Sequence, residues 1–186
     1  MLLRVFGIIL LLGWTVISTS AQTTWTKGYI VTNPGDTIRG KIKETTPGQR
    51  SVQIVFRGNN SDEKIRYKPF NIKGFHVNER YYESKIYDVD VDLNYGFGVF
   101  MERMNKGIVQ IYHYWNTDKD RGFTQTFIEN DGDYLLEVNF MRFKWQMAKY
   151  FEEYPELQAR IKDGEFKKKD LMKIVDEYNR WKENEW

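Results

Sequence analysis

From Trp25 to Glu137 the chain alternates apolar and polar residues in short runs, each closed by Gly, Pro, Asn or Asp. A period of two is the mark of β-strands with one face buried, and the closing residues are turn formers. The run Trp25–Lys43, WTKGYIVTNPGDTIRGKIK, carries the pattern most plainly. Asn33, Pro34, Gly35 and Asp36 supply its turn, through fixed φ, permissive φ and side chains that bond nearby backbone. A Pro-Gly pair suits a four-residue loop with Thr32 opposite Thr37. That register places Tyr29 opposite Gly40, where the ring would cover bare backbone. It turns Trp25, Tyr29, Val31, Ile38 and Ile42 inward, with Thr26, Thr32, Thr37, Arg39 and Lys41 outward.

Further strands are predicted along the chain. Thr45–Gly48 breaks the pattern, and Ser51–Phe56, Glu63–Tyr67, Ile72–Val77 and Tyr81–Tyr87 read as strands between polar turns. Phe97–Met104 and Ile108–Trp115 form a second hairpin around Asn105-Lys106-Gly107. Simple pairing of Met104 with Ile108 puts Val99, Met101, Ile111, His113 and Trp115 on one side. Phe100, Tyr112 and Tyr114 then fall on the other, with Gly98 opposite Tyr114. Phe123–Glu129 and Tyr134–Glu137 complete the series.

After residue 138 the period changes. Asn139 reads as an N-cap, followed by Phe140, Phe143, Met147 and Phe151 at helical spacing. Pro155 opens a second helix that Gly164 ends. Asp170 caps a third, with Leu171, Ile174, Val175, Tyr178 and Trp181 on one stripe. The predicted architecture is α+β: a mostly antiparallel, curled or barrel-like sheet over 22–137, with the helical segment 138–186 packed on it as one domain. The helical stripes need an apolar surface, and the ring-rich face Phe100, Tyr112, Tyr114 is the expected one.

Met1–Ala21 changes the compartment. A basic Arg4, an apolar run and the small residues Ser18–Ala21 read as a signal peptide, so residues 22–186 are expected to be exported to the periplasm or the cell exterior. No second long apolar run follows, so no transmembrane segment is expected after cleavage. The 28 Lys and Arg residues nearly balance 26 acids, for a net charge of +2. That balance argues against nucleic acid as a partner. Cysteine is absent, which removes disulfides, thiolate catalysis and cysteine-ligated metals.

Candidate chemistry is sparse. Asp88, Asp90 and Asp92 alternate in DVDVDL and open like a calcium loop. Leu93 and Val99 then stand where that loop needs Gly and Glu, so the stretch reads as a solvated acidic face. Neither phosphate-loop nor dinucleotide fingerprint occurs, and no cofactor is expected. The two histidines, His76 and His113, lie in strands without a nucleophile elbow. Phe100, Tyr112 and Tyr114, with His113 beside them, are the candidate ligand-binding residues; no catalytic or metal-binding residues are assigned.

The residues Gly28–Val31, Gly35–Ile38 and Gly40–Ile42 form a GYIVTNxGDTIxGKI motif. Tyr67, Pro69 and Ile72–Phe75 follow it, then Tyr150-Phe151, Pro155–Leu157 and Tyr178-Asn179. This order resembles a family of uncharacterised secreted β-rich proteins of Bacteroidota. The resemblance implies an exported bacterial protein and transfers no catalytic residue. The expected function is an exported, non-enzymatic binding or envelope-associated module for a protein or glycan ligand. The alternative is a small secreted hydrolase acting on an envelope or extracellular polymer.

Overall fold

A computed structural model describes residues 24–90, 95–116, 122–130 and 134–184. The signal-like segment, Asp92 of the acidic stripe and most of the loop after Asn116 lie outside them. Ten strands form one antiparallel sheet: β1 Trp25–Val31, β2 Thr37–Lys43, β3 Ile54–Gly58, β4 Ile65–Tyr67, β5 Gly74–Val77, β6 Arg80–Asp90, β7 Tyr95–Arg103, β8 Val109–Asn116, β9 Phe123–Asn130 and β10 Leu136–Glu137. Their spatial order is β10-β9-β8-β7-β6-β5-β1-β2-β3-β4. The α+β architecture with a curled sheet and C-terminal helices is the one the periodicity predicts. The helices are α1 Pro47–Val52, α2 Phe143–Tyr150, α3 Pro155–Asp163 and α4 Leu171–Asn184.

The first hairpin forms, one residue out of the expected register. Val31 pairs with Thr37, Ile30 with Ile38 and Tyr29 with Arg39. The loop explains the slip. The Thr32 N–H donates to the Asp36 carbonyl at 2.9 Å, the Gly35 N–H donates to the Thr32 carbonyl at 2.9 Å, and the Asp36 N–H donates to Thr32 Oγ1 at 3.0 Å. Gly35 meets this geometry at φ 108°, so the loop consumes Thr32 to Asp36. A slip of one residue exchanges the faces of a strand. Ile30, not Tyr29, therefore joins Ile42 in the core, and Tyr29 turns to the opposite side. A ring does cover Gly40, but it belongs to Phe56 of β3.

Where a simple break was expected, α1 is a capped helical turn. Thr46 Oγ1 accepts from the Gln49 N–H and Gln49 Oε1 accepts from the Thr46 N–H, both at 3.3 Å, with Pro47 in the first turn. The following strand begins at Ile54 rather than Ser51.

The second hairpin departs further from simple pairing. Arg103 lies opposite Tyr112 and Glu102 opposite His113, so Met104 bonds to Ile111 instead of facing Ile108. Asn105 bridges the widened loop: its Oδ1 accepts from the Ile111 N–H at 2.7 Å and its Nδ2 donates to the Val109 carbonyl at 3.0 Å. The faces are redistributed. Tyr112 and Tyr114 now pack with Val99, Met101 and Phe127, while Phe100 lies on the other face with Phe75 and Tyr82. Gly98 is covered by Phe70 and Pro69, not by Tyr114.

The first face of the sheet carries Ile30, Phe75, Tyr82, Phe100, Ile111 and Ile128. The C-terminal helices cover its β8–β9 end, where Val109, Ile111 and Ile128 meet Met147, Phe151, Leu157, Ile161, Ile174 and Val175. Asn179 of α4 locks this packing. Its Oδ1 accepts from the buried Val109 N–H at 2.8 Å and its Nδ2 donates to the Val109 carbonyl at 2.9 Å. The helices therefore do not cover Tyr112 and Tyr114. Those rings are buried on the second face by the curl of β6–β9 itself, with Tyr87 and Leu135 alongside. Asn139 is not the N-cap expected: α2 starts at Phe143 with Arg142 at the cap position and no side-chain cap, while Asn139 Oδ1 closes the preceding turn by accepting from the Met141 and Arg142 N–H groups, which leaves Phe140 outside the buried stripe.

Candidate ligand-binding face

The second face is closed at its β7–β9 end and open at its β1–β4 end. Directly opposed residues on neighbouring antiparallel strands point to the same side. The pairings therefore give the rows of side chains that cross this face. One row runs Arg39, Tyr29, His76, Tyr81, Arg103, from β2 through β1, β5 and β6 to β7. Three rings stand side by side with a guanidinium at each end. Four inter-strand steps span about 19 Å.

The Tyr29 and His76 rings are stacked, with centroids 5.0 Å apart and planes 4° from parallel. The Arg103 guanidinium lies 4.6 Å from the Tyr81 ring centroid and 3.5 Å from Glu83. Tyr29, His76, Tyr81, Arg103 and Lys106 line a groove of about 410 Å³, with Glu79 at its edge.

The next row is Lys27, Lys41, Arg57, three cations directly opposed across β1, β2 and β3. Like charges in that position destabilise a sheet. Beyond it, Trp25, Lys43, Val55, Lys64 and Arg66 surround a second groove of about 350 Å³. Arg57 reaches over the Trp25 ring at 5.1 Å. Among the described residues of this patch only Arg57 pairs with a carboxylate, Asp62 at 3.6 Å, and Asp62 is itself fully exposed. The balanced charge of the whole chain thus conceals a one-sided distribution.

A charged network closes the row where it enters the core. Glu83 accepts from Tyr112 Oη at 3.0 Å and lies 3.5 Å from both Lys85 and Arg103. Lys85 also pairs with Glu129 of β9, tying β6 across the curl. Burial first, and then the Glu83 carboxylate, push the Tyr112 phenol far above its ordinary range. It therefore stays a donor and anchors Glu83. Burial likewise raises the Tyr81 phenol.

The expected ligand-binding residues lie elsewhere. Phe100, Tyr112 and Tyr114 are buried, and Phe100 lines the cleft that also holds His113. Phe100 is separated from the two tyrosines by the sheet. His113 is half-buried in a cleft of about 240 Å³ on the first face, between α1 and β6–β8, with Arg50, Ser51, Arg80 and Glu102. Burial holds its imidazole below the ordinary range, and Glu102 partly offsets this. Ser51 Oγ donates to the Gly48 carbonyl at 2.8 Å, and Glu102, 3.4 Å from Arg80, is the carboxylate lining the cleft. Among the described residues no group of three His, Asp or Glu side chains is placed to hold a metal ion. No helix there is long and apolar enough to cross a membrane.

Comparison with protein-family models, with curated proteins and with solved structures finds no match for this chain. The geometry of the two faces is therefore what bears on function. Part of the open face could be read from alternation, since TIRGKIK sets Thr37, Arg39, Lys41 and Lys43 on one side. Its partners Lys27, Tyr29, His76 and Arg57 join it only through the register.

Proposed function

We propose that the protein is an exported, non-enzymatic binding module that engages an acidic glycan across the open face of its sheet. The carrying observation is the juxtaposition of two cross-strand rows, Arg39-Tyr29-His76-Tyr81-Arg103 and Lys27-Lys41-Arg57. Rings with an apolar face and a polar edge stack against sugars, and the flanking cations select carboxylate- or sulfate-bearing units. The length of the first row favours a polymer over a single sugar. The directly opposed cations also repel one another, so a polyanion would relieve a cost that the free protein carries.

The test is binding of residues 22–186 to polygalacturonate, neutral dextran and a single-stranded oligonucleotide. Polygalacturonate should bind with an affinity that falls steeply with salt, and dextran should not bind. Lys27→Gln with Lys41→Gln and Arg57→Gln should weaken polygalacturonate binding about tenfold or more. Equal affinity for dextran, unchanged affinity in the triple variant, or preference for the oligonucleotide would overturn the reading.

The His113 cleft supports the second reading, a small hydrolase, because it gathers His113, Glu102 and two arginines beside Ser51. It would be carried by release of reducing ends from an acidic polysaccharide that His113→Ala abolishes.

A further inference from the structure

Three residues around the start of α2 are exposed against their chemistry. Met141 is 97% exposed, Trp145 65% and Phe140 40%. Single exposed apolar residues are ordinary, but a contiguous set marks an interaction surface.

The exposure is built in, not a loose end. Asn139 Oδ1 accepts from the Met141 and Arg142 N–H groups at 3.0 and 3.2 Å. The Asn139 N–H donates to Gln146 Oε1 at 2.8 Å, and Gln146 Nε2 donates to the Glu137 carbonyl at 2.8 Å. Four hydrogen bonds thus hold the tip with Met141 pointing outward. Trp145 stands one turn further along α2.

The surroundings are cationic. Arg142, Lys144, Lys149 and Lys162 line the adjoining groove of about 870 Å³ with Trp145, and Glu152 is its acid. Lys149 lies 5.8 Å from the Trp145 ring and Lys168 5.7 Å from the Phe140 ring. An apolar tip with a ring at its waist and long cations around it matches one surface: acyl chains beneath an anionic headgroup layer. Trp favours the depth where chains meet headgroups, and Lys reaches back to phosphates. A second copy of this chain would set cations against cations.

We propose that the Phe140–Trp145 tip docks on the surface of an anionic lipid bilayer, inserting Met141 and Trp145 while Lys144, Lys149 and Lys162 engage headgroup phosphates. The docking is peripheral, and it leaves the open sheet face free. It does not depend on the glycan reading.

The test is flotation of residues 22–186 with vesicles of phosphatidylcholine alone or with 30 mol% phosphatidylglycerol (about one anionic lipid in three, a typical surface charge). Binding should require phosphatidylglycerol. Met141→Ser with Trp145→Ser should lower it about tenfold or more, at unchanged melting temperature because both side chains are exposed. Lys144→Gln with Lys149→Gln and Lys162→Gln should lower it similarly. Lys27→Gln with Lys41→Gln and Arg57→Gln should leave the Met141/Trp145 effect intact, which separates this surface from the sheet face. Equal binding to both vesicles, or a Met141/Trp145 variant that floats like the parent, overturns the proposal. So does a parent chain that fails to float and instead self-associates, or captures a protein, through the tip.

Discussion

Removing one charge from the middle of the Lys27-Lys41-Arg57 row should stabilise the fold while weakening ligand binding. Lys41 is opposed to Lys27 on one side and to Arg57 on the other. Directly opposed Cβ atoms stand about 5 Å apart, and the splayed charged ends roughly 7 Å apart. At that separation in water each pair costs about 0.6 kcal/mol, so the two together cost about 1.2 kcal/mol. Asp62 near Arg57 trims the second. Screening leaves about 1 kcal/mol at 10 mM salt, about 0.5 at 150 mM and about 0.1 at 1 M. For a domain of this size 1 kcal/mol moves the melting temperature by about 2–4 °C. Lys41→Gln should therefore melt about 2–4 °C higher at 10 mM salt, with the gain fading to nothing at 1 M. Differential scanning calorimetry across that salt series is the assay. The change in strand propensity is a few tenths of a kcal/mol and does not depend on salt, so the salt dependence isolates the charge effect. A melting-temperature difference that does not shrink between 10 mM and 1 M salt would refute the row.

Three further outcomes test the fold. Asn179→Ala should cost about 1–3 kcal/mol in urea denaturation, because the buried Val109 N–H loses its Asn179 acceptor while the Val109 carbonyl keeps only Asn105; a loss under about 0.5 kcal/mol would mean that α4 is held by its apolar stripe alone. Tyr112→Ala with Tyr114→Ala should destabilise by several kcal/mol, since both rings fill the curl of β6–β9, and an unchanged urea midpoint would refute their burial. For His113, the unfolded imidazole titrates near 6.5 and the folded one lower. Between those values the unfolded chain binds more protons, so the His113 contribution is whole above about pH 6.5, is lost as pH falls below it, and levels off beneath the folded value. His113→Gln should flatten the fall in melting temperature below about pH 6.5, and an identical profile would place the imidazole in solvent.

Alternation was enough to place β1, β2 and β6–β9 and to separate the sheet from the helices, because strand and helix periods depend on neighbouring residues only. It was also enough to find Pro155 and Gly164 at the ends of α3. The capping box Thr46-x-x-Gln49 was written in the same local code, with Pro47 inside it, and could have revealed α1.

Register is another matter. It depends on how each loop satisfies its own hydrogen bonds, and here Thr32 and Asn105 each use a side chain to settle it. A shift of one residue sent Tyr29 from the core to the open face, and a wider loop separated Phe100 from Tyr112 and Tyr114. The amino-acid order by itself determined that this chain makes strands, then helices, with near-balanced charge. Only the tertiary structure decided which residues share a face, and so where seven cations, Lys27, Arg39, Lys41, Lys43, Arg57, Lys64 and Arg66, gather beside Trp25 and Tyr29. Side-chain direction alternates every residue along a strand, whereas a binding surface is assembled across strands, where chain order carries no period to read.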